Sequence, residues 1–470
     1  MGHLTDGPQP TIDMRPLTTA VFVVASVALV TASLNAQGLN VTALEAAARQ
    51  ELTRHRVPGA AIAIVKDDRV VYMRAFGVAN LETGEAVRPE TLFPIGSLTK
   101  SLTSAALVSL AVSGKMRLDD PVGTYVPGLA PPIARLTTAQ LLSHTAGLVD
   151  LVPVSDRSRD ESALSSFPRS WGEAALFTEP GRIFSVSNSG YWLAGAALEA
   201  VAQKPYADAM KLQVFEPLGM TSTSLRPSEA ITWPFAQGYM RERTGGLAIV
   251  RPLSSYPLFW PSGAVLSSVR DLSRFMIAFL NAGQLDGKQV LDSKVIVAMT
   301  TAHAKVATNP SGEYGYGLFL DTIRGVRVWQ HGGQRPGYGA TIRMAPDYRV
   351  GVVILANENG GEMPETAMRA LELMLPLDPA QPAAPLVALT TTPDDLLHHP
   401  GVYRNQNDEI EILSSDGRLL VKRGERTRPL VKRSEVRFDS DSLGWYVFTS
   451  GGGDRTAYVS AGNQSYGRVK

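Results

Sequence analysis

The spacing of apolar and polar residues changes several times along the chain. Residues 38–56 carry Leu39, Val41, Leu44 and Ala47 at helical intervals and close on Arg54-His55-Arg56, a basic ending that suits a helix C-terminus. Pro58-Gly59 breaks the helix, and "AAIAIVKDDRVVYMRAFG" (60–77) predicts a β-hairpin turning at Asp67-Asp68. From Leu98 to Val112 the chain is mostly apolar without Pro or Gly and is closed by Gly114, which predicts a buried helix. Helix and loop fill much of 116–260, with Pro-rich turns at 127–132 and 256–261. In 263–283 a strand end precedes an amphipathic helix with Leu272, Phe275, Met276 and Phe279 on one face. Strand patterns return at 314–320, 326–331, 339–346 and 350–357, followed by a helix from Pro364 to Met374.

Strands at both ends of a helical middle predict a single antiparallel sheet assembled from the two termini of one domain, an α/β (α+β) class spanning 38–375. Residues 376–393 read as a Pro/Ala linker. Beyond it, 394–470 alternates short β patterns with Gly and Asp turns, a small all-β domain. At the other end, Leu17–Leu34 is apolar or small, preceded by Arg15 and followed by Asn35-Ala36-Gln37. It reads as a secretory signal over 1–36 cleaved after Ala36, with Met14 as the natural start; an uncleaved signal anchor is the alternative. Export to the periplasm or the medium is therefore expected, with membrane attachment only through an uncleaved signal.

Charge and composition then narrow the partners. The chain of 470 residues holds 45 Lys plus Arg against 44 Asp plus Glu, so no net field draws a nucleic acid. Cysteine is absent, which removes disulfides, thiolate nucleophiles and cysteine-ligated metals. No His-Glu-x-x-His, Gly-x-Ser-x-Gly, phosphate-binding or dinucleotide motif occurs, so neither metal nor cofactor is expected. Of the histidines, His144 reads as a structural loop residue.

The chemistry centres on Ser97 and Lys100 in "IGSLTK". Residues three apart share a helix face, and a helix start offers N–H groups for an oxyanion. Lys100 is the one charged residue between Glu90 and Lys115. Burial of such a lysine would favour its neutral amine, which can take the serine proton.

With "FPIGSLTKSLTSAAL", the stretches "LTTAQLLSHTAGL" (136–148), "PGRIFSVSNSGYWLAG" (180–195), "PLGMTSTSL" (217–225), "WQHGGQRPGYGATI" (329–342) and "VVILAN" (352–357) follow in order. Over 38–375 this sequence resembles the penicillin-recognising serine hydrolases, a group of class C β-lactamases, D-alanyl-D-alanine peptidases, D-amino-acid peptidases and esterases. The resemblance implies a β-lactamase/transpeptidase-like antiparallel sheet flanked by helices, with a mostly helical subdomain. "HHPGVYRN" (398–405) resembles the start of the β appendage attached to such hydrolases.

The resemblance further implies that Ser97 is acylated, that Lys100 accepts its proton, and that the backbone N–H groups of Ser97 and Gln334 form the oxyanion hole. Asn188, His331, Gly332 and Gly333 would line the substrate site, with glycines where a β-carbon would block a substrate pairing along the strand. Asn357 and Asn359 resemble positions that hold a substrate carboxylate; either is equally a loop asparagine at a strand end. The middle motif departs from the family, whose Tyr-x-Asn is here Val186-Ser187-Asn188. Val186 neither donates nor accepts a proton. Three outcomes stay open: a serine–lysine dyad selective for good leaving groups, replacement of the phenol by Ser185, Ser187 or His331, or a pseudoenzyme that binds without turnover. Tyr191 matches a family tyrosine of structural role. The expected function is an exported serine hydrolase acting through an acyl-enzyme on an ester, a β-lactam or a D-amino-acid peptide amide. The alternative is a non-catalytic binder of cell-wall peptides.

Overall fold

The computed structural model describes residues 39–150, 160–242, 244–309, 311–381, 387–406, 408–451 and 455–469. The expected signal segment lies outside them. Among the described residues no helix is long and apolar enough to cross a membrane. Asn40–Lys470 forms one compact unit.

Helix α1 (Val41–His55) starts at Asn40, whose side chain accepts from the Ala43 amide, and ends on Arg56 in the left-handed region. Strands β1 (Gly59–Lys66) and β2 (Arg69–Gly77) form the expected hairpin, with Asp67 at φ 58° in its turn. The buried helix α2 spans Thr99–Val112, followed by Gly114 at φ +75°. Ser97 falls just before it, in a 3-10 turn over Gly96–Leu98. Helix α3 (Asn188–Ala202) is started by Ser187, whose hydroxyl accepts from the Gly190 amide. Helix α4 (Val269–Leu280) buries the apolar face read from its sequence.

The remaining strands of the first sheet are β3 (Ala304–Lys305), β4 (Glu313–Tyr314), β5 (Phe319–Ile323), β6 (Val326–Arg335), β7 (Tyr338–Ala345) and β8 (Val350–Ala356). Their order is β2-β1-β8-β7-β6-β5-β4-β3, antiparallel throughout. Strand β1 from the chain start thus pairs with β8, Ile62 opposite Ile354, closing the sheet across nearly 300 residues of sequence distance, roughly the domain's length. Helix α4 packs on β1 and β8, and α5 (Pro364–Met374) packs on β8 and on α1. Because helices cover the sheet, β1 and β8 are buried along almost their whole length and read as continuous apolar runs instead of alternating ones.

Among the described residues, nine further strands between Gly401 and Arg468 form a second, all-β sheet with its own core around Tyr403, Phe438, Tyr446 and Tyr466. Its last hairpin, β9 (Thr456–Ala461) and β10 (Gln464–Arg468), turns at Gly462-Asn463. The end of the expected linker already belongs to this module. Leu389 bridges to Lys432, and Thr392 caps a short helix whose Asp395 holds the buried Lys432 ammonium at 2.7 Å.

Candidate active site

Gly96 allows the sharp entry to α2: it sits at φ +53°, and a Cβ there would come within 2.6 Å of the Gln334 amide nitrogen on β6. The same contact brings Gln334 beside Ser97. Gly333 faces this turn as well, and a Cβ on it would overlap the Ile95 carbonyl oxygen at 1.9 Å. The turn that carries Ser97 therefore rests directly on bare strand.

One helical turn on, Lys100 is 1% exposed. Its Nζ lies 3.0 Å from Ser97 Oγ, 2.8 Å from Asn188 Oδ1 and 2.8 Å from the Ser262 carbonyl oxygen. An ammonium fills all three directions with protons. A neutral amine can give its two protons to the two carbonyl-type oxygens, leaving its lone pair directed at the serine hydroxyl. Burial pushes the Lys100 pKa down to about 8, partly opposed by the nearby Asp150 carboxylate.

Asp150 was not singled out from sequence. Its Oδ1 accepts from the Asn188 amide at 2.7 Å and the Ser189 amide at 3.3 Å, and its Oδ2 accepts from Asn188 Nδ2 at 2.8 Å. Nothing in a lone aspartate two residues past "LLSHTAGL" signals a partner 38 residues away. The Ser262 carbonyl was equally invisible, because a backbone acceptor has no residue signature.

Ser97, Asp150, Asn188, Trp192, Phe259, Ser262, Gly263, Gln334, Arg335 and Pro336 line a cleft of about 320 Å³. Trp192 and Phe259 form an aromatic wall, their rings 5.1 Å apart. Arg335 is held in place by the Gly263 and Ser254 carbonyls.

Several expected site residues lie elsewhere. His331 is buried among Tyr314 and Phe319, with Nδ1 2.6 Å from the Gly332 oxygen and Nε2 3.3 Å from the Tyr314 hydroxyl. Burial pushes its pKa down to about 4. Gly332 faces the other side of the sheet, where a Cβ would come 3.0 Å from Glu362 Oε1. Gly333 is required by the Ile95 turn, so the protein's own packing accounts for that glycine, whereas the neighbour of Gly332 is the end of a flexible glutamate side chain. Asn357 is fully buried: its Oδ1 accepts from the Gly59 amide at 2.8 Å and its Nδ2 donates to the Val78 and Ala79 carbonyls at 3.1 and 3.2 Å. That commits both N–H donors of its carboxamide and ties the end of β8 to β1 and to the segment after β2, so no donor is left for a substrate carboxylate. Asn359 is exposed on the following turn.

None of the stand-ins for the missing phenol reaches the pair. Ser185 Oγ accepts from the Ser465 amide, Ser187 Oγ caps α3, and His331 bonds Tyr314. Tyr191 offers Lys100 the face of its ring, 5.6 Å from Nζ, while its hydroxyl donates to the Leu142 carbonyl. Val186 packs with Phe184, Val306 and Tyr314. His144, in the left-handed region at φ 59°, accepts from the Ser187 amide through Nδ1 and packs edge-on against Phe184 and tilted against Tyr314. Among the described residues Glu51, His55 and Glu365 converge closely enough for a metal, but Glu51 already accepts from the Glu365 and Thr366 amides as a cap for α5.

Comparison with known proteins agrees with this architecture. The chain is 29% identical over 322 residues to penicillin-binding protein 4 of Amycolatopsis lactamdurans, covering 66% of this chain and 82% of that protein. It is 27% identical over 324 residues to the protein flp of Staphylococcus aureus strain MRSA252, covering 67% of this chain but only 62% of that one. Among solved structures, SurE superposes with a TM-score of 0.75 at 26% identity, over 91% of this chain and 99% of SurE. The octameric penicillin-binding protein homologue from Pyrococcus abyssi gives 0.66 at 28%, over 90% and 97%. The Beta-lactamase family model matches residues 44–375, and the chain belongs to that family.

Proposed function

We propose that this protein is an exported serine hydrolase that works through an acyl-enzyme at Ser97. Neutral Lys100 takes the proton from Ser97 Oγ as the oxygen attacks a carbonyl carbon. The amides of Ser97 and Gln334 hold the oxyanion. Lys100, now an ammonium, returns the proton to the departing group, and the same amine then activates water to release the acyl product. The placement of Lys100 Nζ 3.0 Å from Ser97 Oγ, with two fixed oxygens to take its own protons, carries this reading.

Val186 shapes the substrate range. With no phenol to relay the proton, delivery to the leaving group falls to Lys100 alone, which favours activated esters and strained β-lactams over ordinary amides. A cleft of about 320 Å³ suits a small acyl group, D-amino-acid derivatives included. The apolar run at 17–34 supports export.

Val186 also favours a second reading, a non-catalytic binder of cell-wall peptides that keeps the pocket. A chromogenic ester and a chromogenic cephalosporin, with mass spectrometry after a fluorophosphonate, separate the two. The hydrolase gives an adduct on Ser97 and steady product release, both lost in Ser97→Ala. Absence of adduct and turnover in the native chain would leave the binder.

A further inference from the structure

We infer that Asp150 is a positioning residue: by accepting from Asn188 Nδ2 and from the Asn188 amide, its carboxylate compels the Asn188 carboxamide to present oxygen, and not nitrogen, to Lys100. The inference rests on the reading of Ser97 and Lys100 as nucleophile and base, and deepens it.

A carboxamide can be turned over at little cost unless its surroundings distinguish N from O. Here both ends are specified. Oδ1 lies 2.8 Å from Lys100 Nζ, and Nδ2 lies 2.8 Å from Asp150 Oδ2, an atom that only accepts. Turning the group over would set oxygen against the Asp150 carboxylate and N–H against Lys100. The consequence for Lys100 is directional. With Asn188 Oδ1 and the Ser262 carbonyl taking the amine's two protons, its lone pair has Ser97 Oγ as its target. With an N–H from Asn188 in place of the oxygen, the lone pair would be drawn to Asn188 and away from the nucleophile.

Asp150 also lines the cleft, so it is placed to act where substrate binds. The other groups around Lys100 do not duplicate it. His144 from the loop before Asp150 and His331 from β6 are both held neutral by burial, and α3 contributes the Tyr191 ring. Among the described titratable groups, Asp150 is the one whose charge acts on Lys100 to favour its ammonium.

Exchange of the two residues tests this. In Asp150→Asn, the new amide keeps its oxygen on the backbone N–H groups and aims its own N–H₂ at Asn188, forcing Asn188 to turn over. The high-pH plateau for acylation of Ser97 by an activated ester should fall about hundred-fold, the scale of lost general-base help. Asn188→Asp should fare as badly, with two carboxylates facing each other. The double variant Asp150→Asn/Asn188→Asp restores each donor to an acceptor. It should recover at least ten-fold over either single variant, with its acid limb above the native one because the carboxylate now touches the ammonium. Titration of the Lys100 Cε resonance in ¹³C-lysine protein, assigned by its loss in Lys100→Met, reads the same order without turnover: lowest in Asp150→Asn, highest in the double variant. A double variant no better than the singles would overturn the inference, as would an Asp150→Asn protein that keeps its rate plateau and only shifts its acid limb. A native chain that is not acylated but shows the expected Lys100 titrations would sink the hydrolase reading and leave the positioning role standing.

Discussion

Lys100 concentrates the physics of the site. A lysine that is 1% exposed costs free energy while charged, and the three oxygens around it recover part of that cost. Its pKa of about 8, against 10.5 for a free side chain, places the change from ammonium to amine in the working range. The base must be neutral before it can accept a proton, so kcat/KM for a non-ionising ester should rise with pH and level off above an acid limb near 8. A flat profile between pH 6 and 9 would contradict Lys100 as base. Two residues before Asn188, Val186 packs in an aromatic cluster where the family has a phenol. Val186→Tyr is expected to raise amide hydrolysis more than ester hydrolysis, because an amide nitrogen leaves only with a proton; kcat/KM for a matched ester and amide gives the ratio.

At the scale of elements, strand β6 divides its residues between two jobs by simple alternation. His331, Gly333 and Arg335 face the turn and the helices, whereas Gly332 and Gln334 face Glu362. His331 thereby becomes a core residue, with a pKa of about 4 against 6.5 in the unfolded chain. Between those values the unfolded chain binds the proton that the folded one refuses, so stability is intact above pH 6.5 and declines as pH falls toward 4. This histidine alone should cost about 3 kcal/mol by pH 4. His144, held well below its ordinary value by burial, acts in the same direction. Urea denaturation across this window should show the native chain weakening more steeply than His331→Gln.

On the scale of the whole molecule, the second sheet grips the segment that carries the altered motif. The Asn463 carbonyl accepts from the Val186 amide at 2.9 Å, the Ser465 amide donates to Ser185 Oγ at 3.1 Å, and Ser465 Oγ donates to the Phe184 carbonyl at 2.9 Å. Thr308 adds a bond to the Gly462 carbonyl at 2.6 Å from the first sheet's side. The hairpin turn thus sets the backbone on which Asn188 begins α3. Ser465→Ala leaves the buried Phe184 oxygen and Ser460 hydroxyl short of a partner and should cost about 1–3 kcal/mol. Hydrogen exchange at the Val186 amide should quicken with it; unchanged exchange would mean that the clasp does not depend on Ser465.

Periodicity was enough for the antiparallel sheet built from both chain ends, the buried helix after Ser97 and the all-β tail; spacing pairs Ser97 with Lys100, and Asn188 joins them only through the family resemblance. Each is written in local spacing or in residue types that chemistry leaves little freedom to replace. What spacing could not supply was direction. Asn357 and His331 carry the right atoms, yet both spend them inside the protein, and Gly333 is small because the Ile95 carbonyl crowds it. Asp150 and the Ser262 carbonyl entered the site only when loops far apart in sequence were folded against α2. Which group a side chain meets depends on long-range packing, and that is a property of the tertiary structure alone.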